Sequence, residues 1–255
     1  MRITKQIIHQ LLSIPTTKYQ KFHEYTKIKK KQKSLTLDEW PTEWKKVYFK
    51  SYPRIDQIIL PNPTHLDITL ESALEARVSN RVFKNMKISL NDISNLLHFC
   101  VGFKDGNGNY SPKRYYPSPG GRYPIETYLI SINSDLEKGV YHYNIKTHSL
   151  EKIRTFDTFD DEDFFTPTQK WIKDASILIV LTAVFDRNTI KYSDRGYRHI
   201  LTEAGHIGQN IYLVCAAMKL ACCGVGGYYD NRLNELIGVQ DISESVINVT
   251  SVGAK

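Results

Sequence analysis

Ser176-Ile177-Leu178-Ile179-Val180-Leu181-Thr182-Ala183-Val184-Phe185, then Lys191-Tyr192-Ser193-Asp194-Arg195-Gly196-Tyr197-Arg198, then a periodic apolar stretch to residue 220: the reading of this run decides the fold. The first segment is about half as long as a bilayer requires and reads as a buried strand. In the last, Ile200, Ala204, Ile207, Ile211, Val214 and Met218 recur at helical spacing. Leu213, Ala216 and Ala217 make the other side apolar too, so a long central helix buried nearly all round is expected. Gly205 and Gly208 each cost about 1 kcal/mol relative to Ala inside a helix. Close approach of another backbone is the usual return, and a symmetry-related copy would supply it, so a homodimer is expected.

Outward from that run, residues 70–76 read as a short helix, and Ser89 with Asp92 makes a capping-box start for a helix carrying Ile93, Leu96, Leu97 and Cys100. Asp105-Gly106-Asn107-Gly108-Asn109 reads as a turn. Strands are expected at 128–132, 140–143 and 246–252 besides the apolar run. Together these give an α+β fold, a central sheet covered by helices.

The 255 residues, 41% apolar and 24% charged, suffice for one globular domain with at most a small appendage. Residues 1–67 differ from the rest. They carry Lys27-Ile28-Lys29-Lys30-Lys31-Gln32-Lys33, two tryptophans, and Pro53, Pro61 and Pro63, and read as an arm wrapping a body over 68–255. Thirty-four Lys and Arg against 27 Asp and Glu leave a net charge of +7, which invites an anionic partner of unspecified kind. The lysine cluster reads either as a nucleic-acid tail or, more commonly for such clusters, as a solvated loop. No base-reading motif accompanies it, so neither nucleic acid nor membrane is an expected partner. Cys100, Cys215, Cys222 and Cys223 contain no C-x-x-C pair, and the start lacks a signal peptide's apolar core; reduced thiols in a cytoplasmic protein are expected.

Several chemistries are missing. There is no P-loop, no nucleophile elbow, no third glycine after Gly224-Val225-Gly226-Gly227 for a dinucleotide fingerprint, and no His pair at metal-helix spacing, so no metal site is expected. Three constellations remain. In Arg77-Val78-Ser79-Asn80-Arg81, extended backbone would turn both guanidiniums and the hydroxyl to one side, a fork suited to a phosphate oxyanion, although paired arginines near a helix end often only face solvent. In Tyr115-Tyr116-Pro117-Ser118-Pro119-Gly120-Gly121-Arg122-Tyr123-Pro124-Ile125-Glu126, proline and glycine build a stiff loop that either admits a flat ligand or is a plain surface turn. In Lys191-Tyr192, a lysine with a lowered pKa can act as a base and an adjacent phenol can orient it; the plainer alternative is a charged connection. Neighbours in a helix diverge but neighbours in a loop need not, so a loop is the expected setting for the pair.

In this order the three segments resemble the nitroreductase-like flavoproteins, and more closely the SagB-type azoline oxidases of streptolysin-like and microcin-like peptide synthetases. The likeness runs from about Phe22-His23-Glu24 to the end and is densest in the 117–126 loop and in Lys191-Tyr192-x-x-Arg195-Gly196-Tyr197-Arg198 with Glu203-Ala204-Gly205-His206 and Gln209-Asn210. It implies a nitroreductase-like fold with a mostly antiparallel sheet, and a homodimer with one FMN at each interface. The phosphate would sit on Arg77, Val78, Ser79 and Arg81, and the flavin ring against Pro117, Ser118, Gly120 and Gly121, supplied by the other subunit, and against Gly226 and Gly227. Gln169 matches a flavin-contacting glutamine, Lys255 a C-terminal basic residue, and Lys191 and Tyr192 the catalytic pair. Two features depart from the family: Pro119 interrupts the usual Pro-Ser-Gly-Gly, and Arg122 stands where an apolar residue is usual. The implied substrate is a ribosomally made precursor peptide bearing thiazoline or oxazoline rings from a partner cyclodehydratase.

Such an oxidation removes a Cα proton and a ring hydride, for which FMN is the implied hydride acceptor and Lys191 the implied base. Two other readings stand beside it: a general NAD(P)H-dependent flavin reductase, which needs no protein base, and a non-catalytic flavin-binding scaffold of a synthetase.

Overall fold

The computed structural model describes residues 17–28, 36, 38–104, 113–239 and 242–255. Lys29 to Lys33 of the basic cluster and the 105–109 turn lie outside them. The chain divides into two compact units, Met1–Thr42 and Glu43–Lys255. In the first, α1 (Lys18–Tyr25) is started by a Thr17–Gln20 capping box. The second contains the sheet and the site. A helical turn, α2 (Thr42–Lys45), precedes its first strand, β1 (Gln57–Ile59). Residues 43–67 of the stretch read as an arm therefore belong to the unit that holds the sheet, and β1 is an edge strand of that sheet.

The remaining elements are α3 (Leu70–Ala76), α4 (Leu90–Val101), β2 (Ile125–Ser131), β3 (Gly139–Asn144), β4 (Ser149–Thr155), β5 (Ile177–Val184), α5 (Asp186–Tyr192), α6 (Arg195–Ala217), β6 (Leu220–Val225), α7 (Asp230–Ile237) and β7 (Glu244–Ala254). The seven strands run in the order β1-β4-β3-β2-β5-β7-β6, with every ladder between them antiparallel. Helix α3 has the expected bounds, and the Ser89–Asp92 capping box starts α4.

Strand β5 is apolar except for Thr182, whose hydroxyl donates to Glu244, because both faces of the sheet are covered. Ile177, Ile179 and Leu181 join Ile93, Leu96, Ile200, Ile207 and Ile211 on the α4–α6 side. Leu178 and Val180 join Phe165, Ile172, Leu233 and Ile237 on the other. Each such side chain is worth about 1.5–3 kcal/mol on burial. Strands β1, β4 and β6 are not among those the sequence patterns predict. In β4 the alternation is hidden because a carboxylate, Glu151, points inward and bonds His142. β6 follows α6 at once because Lys219 adopts φ +57°, which reverses the chain where the helical pattern had been read on to residue 220.

One expectation is corrected. α6 is not buried all round: Ile200, Glu203, Ala204, Ile207, Ile211, Val214 and Cys215 face the core, whereas Leu201 is 45% exposed. Among the described residues nothing lies within 4 Å of a Cβ built at Gly205 or Gly208, so the close approach that would justify these glycines is not made within this chain. No helix among the described residues is long and apolar enough to cross a membrane.

Candidate functional site

Lys191 and Tyr192 form the last turn of α5 rather than a loop. The helix is anchored near its start, where buried Arg187 pairs with buried Glu126 of β2. Burial pushes Glu126 up, but its hydrogen bond from His142 and the charge of Arg187 prevail and hold it at about 2. At the other end the chain turns sharply at Ser193, φ +49°, into α6. Gly196 admits the close packing of the two helices, since a Cβ there would come within 3.0 Å of Asn188 Oδ1 and 3.1 Å of Thr189 Cα.

Although adjacent on a helix, Lys191 and Tyr192 converge because both reach over one glycine. A Cβ on Gly120 would overlap the Tyr192 hydroxyl and lie 3.2 Å from Lys191 Nζ. Only glycine fits there, and its φ of +66° suits it too. Burial, then the nearby Arg122 charge, lowers the pKa of Lys191. Burial raises that of Tyr192 against the opposing pull of Arg122, which keeps the phenol protonated. The His199 ring meets the Tyr192 ring edge-on at 4.9 Å.

The loop below is clamped by Ser118. Its hydroxyl donates to Glu203 Oε2 of α6 at 2.6 Å and accepts from Tyr123 N at 2.9 Å. Pro119 does not disrupt the loop; it opens a short 3-10 turn, Pro119–Gly121, and the left-handed Gly121 and Tyr123 follow. Glu203 is fully buried, and its Oε1 has no hydrogen-bond partner among the described residues. Burial raises its pKa to about 7, against the Ser118 hydrogen bond and the Arg114 charge.

Arg77, Ser79 and Arg81 gather at the far end of α6. The backbone is extended there, with Asn80 N bonded to Cys222 O at 2.8 Å. The Ser79 hydroxyl lies 3.2 Å from the Tyr212 hydroxyl, the Arg77 guanidinium 5.6 Å from the Tyr212 ring centre and that of Arg81 5.8 Å from the Trp171 ring centre. Tyr212 also accepts Gly224 N–H at 2.7 Å. A cavity of about 110 Å³ opens beside them, lined by Val78, Asn80, Tyr212, Lys219 and Lys255 among others. Gln169 stands on the same 3-10 stretch as Trp171 and packs on Gly227, where a Cβ would come 3.1 Å from its amide. Gly226 is exposed beside it.

The expected site residues thus fall into two groups. Lys191, Tyr192, Pro117, Ser118, Gly120 and Gly121 stand near the start of α6, while Arg77, Val78, Ser79, Arg81, Gln169, Gly226, Gly227 and Lys255 stand toward its end. Glu203 and Tyr212, which touch the two groups, are nine residues apart on α6, or about 14 Å along its axis. The second group suits a flavin phosphate: Arg77, Ser79 and Arg81 offer two guanidiniums and a hydroxyl from one largely exposed segment, and Lys219 and Lys255 line the cavity beside it, with no acidic side chain among the described residues of that lining.

Sequence reasoning missed Trp44 and Tyr212, quoted Glu203 within the resemblance but gave it no role, and took Arg122 only as a departure. Arg122 is 2% exposed and donates to three backbone carbonyls, those of Arg187, Trp44 and Lys46, at 2.7–2.8 Å. A charged residue beside two glycines and before an apolar strand was the available signal; Trp44 gave none, because its partner lies far along the chain.

The Nitroreductase family profile matches residues 74–254. The chain belongs to the nitroreductase family. This is a family of flavin oxidoreductases. A Methanocaldococcus jannaschii protein classed as a nitroreductase is 30% identical over 187 residues, which cover 73% of this chain and 92% of that protein. The microcin B17-processing protein McbC of Escherichia coli is 30% identical over 159 residues, covering 57% of this chain and 54% of McbC, so the chain spans about half of that relative. Among solved structures, a nitroreductase-class protein of Anabaena variabilis superimposes with a TM-score of 0.71 at 26% identity, over 92% of this chain and 46% of the other. This nitroreductase-family chain is therefore similar both to general reductases and to a protein that processes a peptide.

Proposed function

We propose that this protein is an FMN-dependent dehydrogenase that oxidises thiazoline or oxazoline rings to thiazoles or oxazoles in a ribosomally made peptide. The observation that carries the reading is the convergence of Lys191 Nζ and the Tyr192 hydroxyl over Gly120. A reductase that only relays hydride has no need of a base here. The likeness to a microcin-processing protein supports the same substrate class.

Arg77, Ser79, Arg81 and the Val78 backbone, with Lys255 nearby, would hold the FMN phosphate. Pro117, Ser118, Gly120 and Gly121 of a second subunit would line the ring, with Gly226, Gly227 and Gln169. The separation of the two groups along α6 and the open space around Gly205 and Gly208 support a homodimer. When bound, FMN supplies a hydride acceptor that dioxygen restores. Lys191, its pKa lowered by burial and Arg122, takes the Cα proton at Nζ as a neutral amine. Tyr192, kept a phenol, orients that amine by its hydroxyl. One proton and one hydride leave each ring as a new double bond forms. The partners of this reading are a cyclodehydratase that makes the azolines and the precursor peptide, with the segment before the sheet available for partner contact.

The test is the visible spectrum of the purified protein followed by mass spectrometry of an azoline peptide incubated with it. Flavin absorption and a loss of two hydrogens per ring are expected; a colourless protein that cannot be loaded with FMN contradicts the reading. The fuller coverage of the M. jannaschii protein favours a second reading, a general NAD(P)H-dependent reductase. Rapid bleaching of bound flavin by NADPH, without azoline oxidation, would establish it instead.

A further inference from the structure

Trp44 has no part in the reaction outlined above and Arg122 enters it only through its charge near Lys191, yet both are joined to its centre by hydrogen bonds. Burying a guanidinium is costly unless its N–H groups are satisfied. Arg122 meets much of that demand with backbone carbonyls: Nε donates to Arg187 O, and one terminal nitrogen donates to Trp44 O and Lys46 O. The fixed fork of donors ties residues 44–46 to the start of α5, a geometry that a lysine's point charge cannot reproduce. Trp44 is fastened a second time, because its indole N–H donates to Ile190 O at 3.1 Å, in the peptide unit that precedes Lys191. The half-buried ring is thus fixed by its backbone and by its polar edge, and its centre lies 5.9 Å from Lys191 Nζ.

A ring held at both ends beside a base has little freedom left to lose when a flat group packs on its face. We infer that Trp44, held by Arg122, is the aromatic wall of the substrate subsite beside Lys191 and selects peptides whose residue at that point is a planar five-membered heterocycle over the uncyclised cysteine or serine. This inference rests on the azoline reading of the same site and adds the group that recognises the ring. Arg122 acts as a positioning residue through Trp44, and Trp44 acts by contact with the substrate ring.

Binding, not turnover, tests it. Two matched peptides, one with a thiazole and one with the uncyclised cysteine, are titrated by calorimetry into the full-length flavin-loaded protein and into Trp44→Ala and Trp44→Phe. The parent is expected to prefer the thiazole peptide. Trp44→Ala loses that preference, with about tenfold weaker thiazole binding and unaltered cysteine-peptide binding, while Trp44→Phe keeps most of it. An unchanged flavin spectrum in both variants reports an intact fold. Arg122→Lys is expected to lose the preference as Trp44→Ala does. The inference is overturned if Trp44→Ala keeps the preference, if it weakens both peptides equally, or if the parent has none. Failure of the parent to remove two hydrogens from an azoline, with the binding preference intact, would overturn the azoline oxidase reading and leave the aromatic wall standing.

Discussion

At the start of α6, Lys191 and Tyr192 stand over Gly120, and the loop beneath them is held by a fully buried carboxyl, Glu203, through Ser118. About 14 Å along the same helix, Tyr212 stands beside Ser79 and Arg77 on an open, cation-bordered cavity. The first place is assembled from buried and half-buried groups on four separate elements: α2, the 117–123 loop, α5 and α6. In the second, the arginines and the serine come from a single extended segment whose donors lie largely in the open, beside Tyr212 and Lys255. The contrast follows from chemistry. Shifting the pKa of a lysine requires partial burial and fixed neighbours, whereas holding a doubly charged phosphate requires only several donors aimed at one point.

If the open end is an anion site, removing its guanidiniums has the largest effect. Arg77→Ala with Arg81→Ala is expected to weaken FMN retention by about a hundredfold or more, at about 1.5–3 kcal/mol for each hydrogen bond to a charged group. Flavin released on dialysis measures it, and full retention would break the contrast. At the buried end, Glu203 gives a pH dependence. Its pKa rises from 4.5 to about 7 on folding, so its stabilising contribution is complete below 4.5 and is lost as pH rises through 7. At about 1.4 kcal/mol for each pH unit the difference is about 3 kcal/mol. Glu203→Gln is expected to flatten the fall in Tm as pH rises from about 4.5 to 7; an unchanged slope would show that this carboxyl is not the source. Gly120→Ala is the smallest: the left-handed backbone disfavours alanine by about 1–2 kcal/mol and the new methyl displaces Tyr192. Azoline oxidation should fall about tenfold with FMN retained, and an unaffected rate would remove Gly120 from the site.

The strand Ile177–Val184 and the helix behind it were legible in sequence because burial on both faces of a strand, and helical spacing, leave plain apolar patterns. The Lys191-Tyr192 pair was legible as a motif but not as a helix end, since nothing in the seven residues of α5, with Ile190 their one aliphatic side chain, marks where the helix stops. β4 was hidden by Glu151, whose inward carboxylate is satisfied by His142 and Asn144, residues of another strand. Arg122 was legible only as an oddity, because its three carbonyl partners come from residues 44, 46 and 187, a convergence that exists only after folding. The asymmetric burial of α6 could not be read at all, as an apolar side chain has the same identity whether it packs inside the chain or against a second one.

The account rests on Lys191 as the base that removes the Cα proton, and the FMN-loaded Lys191→Ala protein tests that most directly. With an azoline peptide, the rate of loss of two hydrogens per ring, followed by mass spectrometry, is expected to fall by about 10²–10⁴ while the flavin spectrum stays that of the parent. Oxidation at the parental rate by the flavin-loaded variant would contradict the account.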